Sequence, residues 1–270
     1  MVGYIVAGLA VLMLLAATAH LVSAARFRSQ AMALVAEVTV GPGTTEVRVP
    51  EAVRRFAERN GAGGTGLRAQ RIVQQAEFRS GREGAWGPMP AVQHIGLGAP
   101  NFVWHARAPG PLVPRFTVFD AYVSGRGILR ANLLGSVPVA NATGPVIDRS
   151  EAMRYLAELP WAPDAILGNP DILWSEREDG QVEAALDTPS GRAAILYTFD
   201  EAGDIVATHG LRPDRDADGS EVLREWRGTF GDYGRVGGRR IPTRGEVGYV
   251  EDGSYWAYWR GRVTDLELLR

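Results

Sequence analysis

The feature that most constrains the fold is a long series of strand-like segments joined by short turns. From Leu67 to Leu269, runs rich in Val, Ile, Thr and aromatic residues alternate with turns rich in Gly, Pro and Asp. Short connections make successive strands antiparallel neighbours, and the βαβ rhythm of a parallel sheet is not found. An antiparallel sheet is therefore predicted. The predicted strands are residues 67–79, 91–97, 101–108, 115–123, 126–133, 172–177, 181–187, 192–199, 204–211, 223–230, 240–250, 254–260 and 262–269.

Two Asp-Gly dipeptides, Asp179-Gly180 and Asp252-Gly253, mark hairpin turns, because both residue types tolerate the positive φ values that such turns require. The run Phe116–Val123 is apolar on both of its faces. A strand buried on both sides must be covered on both sides. The sheet is thus expected to curl on itself, or helices are expected to close over a pocket.

One amphipathic helix is predicted mid-chain, between two groups of strands. Asp148 is the predicted N-cap, and Glu151 completes a capping box. Residues at spacings of three and four give an apolar face of Met153, Leu156, Ala157 and Pro160 and a charged face of Glu151, Arg154 and Glu158. Two interpretations stay open. The charges form a stripe of ion pairs in water, or Arg154, Glu158 and Trp161 line the mouth of a cavity.

Residues 1–25 contain no Asp, Glu, Lys or Arg, and an apolar stretch of this length spans a bilayer as a helix. This segment is predicted to be a single-pass transmembrane anchor in the cell membrane. The alternative is a cleaved signal peptide, since small residues that suit cleavage are present, although a basic n-region is not. Arg26 and Arg28 follow the span, which favours a cytoplasmic main domain by the positive-inside rule. The side of the membrane stays open.

Residues 26–45 are predicted to be a juxtamembrane helix and a linker, because Gly41-Pro42-Gly43 breaks the helical pattern. Residues 46–270 are predicted to be a single curved-sheet domain that begins with a short helix over 50–60. The segment Gly61–Gly66 matches G-x-G-x-x-G. It follows a helix where a dinucleotide fingerprint follows a strand, so it is interpreted as a loop.

The composition excludes several classes of site. Without Cys the chain has no thiol nucleophile, disulfide or Cys-based zinc site. Every basic residue is Arg, which removes a P-loop lysine and Schiff-base chemistry. A net charge of −2 with no basic block argues against nucleic acid as a partner. Neither G-x-S-x-G nor H-E-x-x-H is found, so the sequence leans away from an enzyme.

Several short motifs follow one another in a fixed order along the chain. They are Val49-Pro50-Glu51, Trp104-His105-Ala106-Arg107, Asp120-Ala121-Tyr122, Arg154-Tyr155-Leu156-Ala157-Glu158, Trp226-Arg227-Gly228 and Ile241-Pro242. Over residues 46–270 their order and spacing resemble a bacterial family of unknown function whose members carry an N-terminal membrane segment. The pattern is also similar to the lipoprotein-carrier (LolA/LolB-like) fold. That resemblance implies a half-barrel closed by helices over an apolar cavity.

The predicted fold class is accordingly α+β. It consists of a strongly curved antiparallel β-sheet (a half-barrel) with two or three helices on the concave side. An N-terminal transmembrane helix precedes it.

His105 and Arg107 share one face of their strand, and Asp120 lies on the next strand. A short hairpin is expected to bring the carboxylate near one of them. The pair is either a structural ion pair or a polar anchor for a ligand headgroup at the cavity wall. The predicted ligand-binding residues are His105, Arg107, Asp120, Arg154, Glu158 and Trp161.

The segment Asp214–Gly219, with Glu225 six residues later, matches the calcium-loop pattern D-x-D-x-D-G-x5-E. The ligands would be Asp214, Asp216, Asp218 and Glu225. No helix is predicted beside the loop, so an acidic turn balanced by arginines is the alternative. No other cofactor is predicted.

These patterns favour a membrane-tethered, non-catalytic binding module for a lipid or other apolar ligand. One alternative is an envelope interaction or assembly protein whose core is filled by its own side chains. A hydrolase is a further alternative. The expected partners are the membrane, through the N-terminal helix, and the apolar ligand.

Overall fold

The strands form one continuous antiparallel sheet, and the first and last long strands of the chain lie side by side at its centre. The computed structural model describes residues 2–178 and 180–270. Its strands are β1 (Ala69–Phe78), β2 (Gly87–Pro88), β3 (Ala91–Gly96), β4 (Phe102–Ala108), β5 (Phe116–Val123), β6 (Arg126–Leu133), β7 (Val137–Thr143), β8 (Leu173–Glu176), β9 (Val182–Thr188), β10 (Gly191–Phe199), β11 (Ile205–Arg215), β12 (Glu221–Val236), β13 (Arg239–Glu251) and β14 (Ser254–Leu269). Its helices are α1 (Val2–Thr39), α2 (Glu51–Arg59), α3 (Pro145–Ala157), a 3-10 turn (Leu159–Trp161) and α4 (Pro163–Gly168).

The strand order is β7-β6-β5-β4-β3-β1-β14-β13-β12-β11-β10-β9-β8, and β2 pairs with β1. The first long strand and the last one are neighbours, with Ala69 opposite Leu269 and Phe78 opposite Trp259. Two meanders therefore run outward from the centre. The connection between their outer edges, from β7 to β8, carries α3, the 3-10 turn and α4.

Helix α3 crosses the concave face and contacts strands of both meanders. The Asp148 carboxylate accepts hydrogen bonds from the Gly127 amide at 2.7 Å and from the Ser190 hydroxyl at 2.7 Å. Gly127 is the second residue of β6 and Ser190 lies in the β9–β10 turn, so one side chain joins two distant parts of the sheet. That geometry requires the sheet to curl around the helix. The predicted fold class, a curved antiparallel sheet with helices on its concave side, is confirmed.

Two buried tyrosines fix the position of α3. The Tyr155 hydroxyl donates to the Gly96 carbonyl at 3.0 Å and accepts from the Asn169 amide at 2.9 Å. The Tyr197 hydroxyl donates to the Leu156 carbonyl at 2.6 Å. Because both rings are buried, these bonds hold the helix at a set height above β3 and β10.

The second half of α1 covers the convex face. Phe27, Ala31, Val35 and Val38 recur at helical spacing and are buried against the outward side chains of β1, β4 and β5. The run Phe116–Val123 is thus covered on both sides, as predicted from its two apolar faces. The predicted helical continuation beyond residue 25 is also confirmed, since α1 ends at Thr39.

Residues 2–19 of α1 project away from the sheet and are exposed throughout. The helix is long and apolar enough to cross a membrane, and a signal sequence near an N-terminus passes the same test. The division of the chain at residues 25 and 45 stays a prediction.

Two local predictions about α3 were wrong. The helix begins at Pro145 with Gly144 as its N-cap, so Asp148 lies inside the first turn and binds the sheet instead of capping the helix. Glu151 is buried and pairs with Arg212, so no capping box forms. Asp and Glu are both common at the start of a helix. Here, however, α3 packs against the sheet, and both side chains form contacts with residues far away in sequence.

The strand predictions hold for most runs, but the two-residue strand β2 was not predicted. β7 was not predicted, because its Pro and Ala residues give no alternating pattern. Residues 254–269 form one strand instead of two, and β12 extends to Val236. At the predicted Asp252-Gly253 turn the φ values are 51° and 71°. In the other predicted turn, Asp179 lies outside the described residues.

Candidate functional site

A cavity of about 680 Å³ lies between α3 and the concave face of the sheet. Its walls are largely aromatic and aliphatic. They include Met89, Trp104, Val118, Leu129, Ala131, Val139, Trp161, Trp226, Phe230, Val247, Tyr249, Trp256, Tyr258 and Trp259. The volume falls in the range of about 300–1,000 Å³ that is usual for small-molecule sites.

The cavity opens at one end of the sheet. Its lining reaches the β1–β2 connection at Ser80 and Gly81 and the β4–β5 connection at Pro109 and Arg115. Helix α3 and the 3-10 turn form the inner wall, from Ile147 to Trp161. A ligand would therefore insert from the end that bears the β4–β5 loop.

One polar cluster on the wall is built on Arg154 of α3. Its guanidinium donates to the Asp120 carboxylate of β5 at 2.6 Å and to Glu158 at 2.9 Å. The three side chains are only 13–15% exposed. The guanidinium also lies over the ring of Trp104, 5.0 Å from its centroid. The charges that the sequence allowed to be a solvated stripe are instead buried beside the cavity, in its inner wall and not at its mouth.

Amides extend this cluster into the sheet. Gln93 donates to Glu158, Gln74 donates to Gln93 at 3.3 Å, and the Trp104 indole donates to Gln74 at 2.8 Å. Gln74 and Gln93 are buried. Each amide therefore orients the next, and this series of hydrogen bonds fixes the position of the Glu158 carboxylate.

A second cluster is built on Arg212 of β11. Its guanidinium donates to Glu151 at 3.0 Å, to the Ser150 hydroxyl at 2.7 Å and to the Tyr258 hydroxyl at 3.1 Å. It also lies 4.7 Å from the centroid of the Trp226 ring. All three guanidinium nitrogens have partners, so Arg212 is held rigidly in the wall.

Burial changes the acidity of both clusters. Burial raises the pKa of the Asp120 carboxyl, and the neighbouring Arg154 offsets part of that rise. Burial raises the pKa of Glu151 to about 7, against the opposing effect of Arg212. Three carboxyl groups face two guanidinium groups, so the two clusters together hold one more acidic group than basic groups.

Several polar atoms in the cavity lining have no hydrogen-bond partner among the described residues. They are Asp120 Oδ1, Glu151 Oε2, Thr208 Oγ1, Trp256 Nε1 and Trp259 Nε1. A buried polar atom left without a partner costs about 1–3 kcal/mol. A bound molecule with polar atoms of its own would offset part of that penalty by forming hydrogen bonds with these atoms.

Trp161 is held in the cavity wall by a hydrogen bond and by packing against other aromatic rings. Its indole donates to the Pro242 carbonyl at 2.8 Å, and its ring meets Phe230 and Trp259 edge-on at 5.4 and 6.0 Å. The close packing requires Gly245, because a Cβ there would lie 2.6 Å from the Trp161 ring. Trp161 is thus a fixed part of the cavity wall.

The predicted approach of Asp120 to His105 or Arg107 was wrong. His105 is opposite Phe119 in the strand pairing, and both residues point to the convex face. Asp120 is opposite Trp104 and points to the cavity. A one-residue offset in a strand moves a side chain to the other face of the sheet. Burial lowers the pKa of His105, and the nearby charges of Arg107 and Arg28 add to that effect.

Of the two interpretations of Asp214–Gly219, the acidic turn balanced by arginines fits the structure better than the calcium loop. Asp214 and Asp216 pair with Arg224, Asp218 accepts from Ser220, and Glu225 pairs with Arg227 along β12. Within residues 2–178 and 180–270 no group of three His or acidic side chains is placed to hold a metal ion. The segment is a hairpin turn between β11 and β12, and its carboxylates are used locally.

Sequence reasoning missed four of the polar residues beside the cavity: Gln74, Gln93, Glu151 as a wall residue, and Arg212. Glu151 and Arg212 are 61 residues apart, and only the curl of the sheet brings them together. Thr208, Gly210 and Arg212 alternate along one strand, so all three share one face of the sheet, and this alternation was the available signal. In the structure that face is buried, with both Thr208 and Arg212 shielded from solvent.

Residues 44–261 match a family of unknown function, DUF6544. The chain belongs to this family. The family predicted from the order of motifs is thereby confirmed. No curated protein matches the chain.

Similar solved structures include a LolA superfamily protein from Nitrosomonas europaea, with 11% identity and a TM-score of 0.43. That match covers 83% of this chain and 94% of the other. A DUF1329 family protein from Desulfovibrio piger has 10% identity and a TM-score of 0.43, with coverage of 82% and 94%.

Proposed function

We propose that this protein is a membrane-tethered, non-catalytic module that binds an apolar ligand of lipid chemistry inside its half-barrel. The observation that carries the proposal is the cavity of about 680 Å³ with aromatic and aliphatic walls. Burial of apolar ligand surface against such walls contributes roughly 25 cal/mol per Å². The tether is α1, whose free segment has the length and hydropathy of a membrane span.

The polar clusters give the ligand an orientation. Asp120 and Arg154 lie beside the cavity. Arg154 binds one carboxylate oxygen of Asp120, and the other, Oδ1, has no partner among the described residues and is free to accept a hydrogen bond. Both guanidinium groups are already engaged by carboxylates, so the wall offers acceptors more readily than free cations. The favoured ligand is an amphiphile whose polar end donates hydrogen bonds to Asp120, such as an amine or hydroxyl group. The unpartnered indole N–H groups of Trp256 and Trp259 are donors elsewhere in the described lining.

An interaction protein with a filled core is supported less well. The tryptophans of the cavity wall stand at its sides and leave the space between them open. Trp161 and Trp226 are held by their own hydrogen bonds, which keeps them from turning inward. The open space thus favours a ligand over a plug of side chains.

The experiment compares small molecules that travel with the full chain after extraction in mild detergent from its native host. Val118→Trp places an indole in the cavity, because Val118 lines it from β5. Leu211→Trp is the matched control, since Leu211 is 59% exposed and does not line the cavity. Mass spectrometry of the extracted lipids is the measurement.

The wild-type chain and Leu211→Trp are expected to retain a molecular species that Val118→Trp loses. Lipids around α1 are common to all three samples and cancel in the comparison. An identical set of species from all three proteins would contradict the proposal. Asp120→Asn is expected to change which headgroup is retained and to leave the total amount of bound ligand similar.

A further inference from the structure

We propose that an apolar rim beside the cavity mouth inserts into the membrane interface next to α1, so that the cavity opens onto the bilayer. The apolar rim consists of Leu112 in the β4–β5 loop and Leu133, Leu134, Val137 and Val139 around the β6–β7 turn. This proposal rests on the membrane tether proposed above and adds the position of the domain relative to the lipid. The partner that contacts the rim is thus the bilayer itself.

The rim is exposed although it is apolar. Leu112 is 95% exposed, Leu134 is 47% exposed and Val139 is 53% exposed. The loop and the turn form one surface, because the Leu134 amide donates to the Arg115 carbonyl at 2.8 Å. Contiguous exposed apolar side chains on a folded protein mark an interaction surface.

The rim lies where α1 leaves the sheet. Ser136, in the β6–β7 turn, shares a hydrogen bond with His20 Nδ1 at 2.6 Å, and its carbonyl accepts from the Ser23 hydroxyl at 2.5 Å. Residues 2–19 precede these contacts and extend for about 27 Å at 1.5 Å per residue. This length is close to the ~30 Å hydrocarbon core of a bilayer. The membrane surface then lies at the level of His20, which is the level of the rim.

The cavity mouth lies at the same end. Val139 belongs both to the rim and to the cavity lining, and Phe116 and Pro109 line the cavity beside Leu112. The opposite side of the mouth carries the acidic β11–β12 turn, including Asp214 of the lining. The side next to α1 carries the exposed apolar rim, and insertion there would allow an acyl chain to pass into the cavity without crossing water.

The test uses the full chain, which has no native Cys and thus accepts a single engineered thiol. Leu112→Cys and Val137→Cys place an NBD fluorophore on the rim, Leu211→Cys places it on an exposed strand of the other meander, and Val11→Cys places it in the free part of α1. Each labelled chain is reconstituted into vesicles of phosphatidylcholine and phosphatidylglycerol, with and without doxyl-labelled lipid.

Labels at residues 112 and 137 are expected to show a blue-shifted emission and to be quenched by doxyl lipid, whereas the label at 211 shows neither change. Emission at 112 and 137 that stays like that of 211 would overturn the rim proposal. A blue shift without doxyl quenching would overturn it as well, because that result places a second copy of the chain on the rim.

The label at residue 11 separates this proposal from the one before it. Quenching at 11 without quenching at 112 leaves the tether intact and removes the rim. Absence of quenching at 11 removes the tether. A second variant, Leu134→Asp, checks the cause: Leu134 has a φ of 53°, which Asp tolerates better than Leu, so the fold is kept. It is expected to reduce quenching at 112, and unchanged quenching there would count against the rim.

Discussion

Asp120 of β5 accepts a hydrogen bond from Arg154 of α3 at 2.6 Å, and this contact ties the sheet to the helix that crosses it. The same guanidinium also holds Glu158. One cation thus neutralises two carboxylates in a wall that is largely shielded from water. The stability of the half-barrel and the polarity of its cavity depend on the same three side chains.

Replacing Arg154 by Met is expected to destabilise the fold by about 3–5 kcal/mol, because two buried carboxylates lose their partner. Urea denaturation of the full chain in detergent micelles, followed by Trp fluorescence, measures the change. Arg54→Met is the matched control: its ion pairs with Glu51 and Glu58 lie on the exposed face of α2, where water screens them, so a much smaller loss is expected. Equal losses for the two variants would mean that burial does not govern the Arg154 cluster.

Removing the whole charge cluster is expected to cost less than removing its cation alone. In the triple variant Asp120→Asn, Arg154→Met and Glu158→Gln, no uncompensated charge stays buried. Its free energy of unfolding should therefore lie above that of Arg154→Met, by the same denaturation measurement. A triple variant less stable than the single one would show that hydrogen-bond geometry, and not charge, holds this wall together.

The pH dependence of stability should change when Glu151 is replaced by Gln. Burial raises the pKa of Glu151 to about 7, so the folded state keeps a proton that the unfolded state releases near pH 4.5. This contribution is fully present below pH 4.5 and is lost as the pH rises through 7, by up to about 3 kcal/mol. The difference in unfolding free energy between Glu151→Gln and wild type, taken from pH 4.5 to 8, isolates it from His94, whose lowered pKa of about 4 acts in the opposite direction. A difference that does not vary with pH would assign the titration to another group near Glu151, chiefly Asp120.

A single methyl group at Gly127 is expected to loosen α3. A Cβ there would lie 2.3 Å from the Ile147 carbonyl oxygen, so the helix must shift, at a cost of about 1–3 kcal/mol. Gly231→Ala is the control, because a Cβ at Gly231 has no atom within 4 Å. Denaturation midpoints of the two variants give the comparison, and a Gly127→Ala protein as stable as wild type would mean that α3 is not held by this approach.

Calcium is expected to leave the protein unchanged. Asp214 and Asp216 are engaged by Arg224, so binding an ion would require those pairs to break. Titration calorimetry and thermal unfolding with added Ca²⁺ should show neither heat nor a rise in melting temperature. Arg224→Gln frees both carboxylates and serves as the comparison. A saturable response in the wild-type chain would restore the loop hypothesis.

Local sequence patterns were sufficient for most of the strands and for the existence of the main helices, but not for β7 or for the first residue of α3. Alternating runs predicted the strands, Asp252-Gly253 predicted its turn, and the uncharged residues 1–25 predicted the free helix, because each of these depends on neighbours in sequence. The antiparallel arrangement followed from short connections. The curved sheet with its helical cover was expected from the two apolar faces of Phe116–Val123 and from the family resemblance.

The tertiary structure alone decided which polar residues face the cavity. An amphipathic helix presents the same pattern whether its charged face meets water or a buried wall, so the sequence left the position of Arg154 open. The register of β4 and β5 then placed His105 and Asp120 on opposite faces. Glu151 and Arg212 meet only because the sheet curls around α3. Contacts between residues far apart in sequence depend on how the layers close over one another, and no local periodicity contains that information.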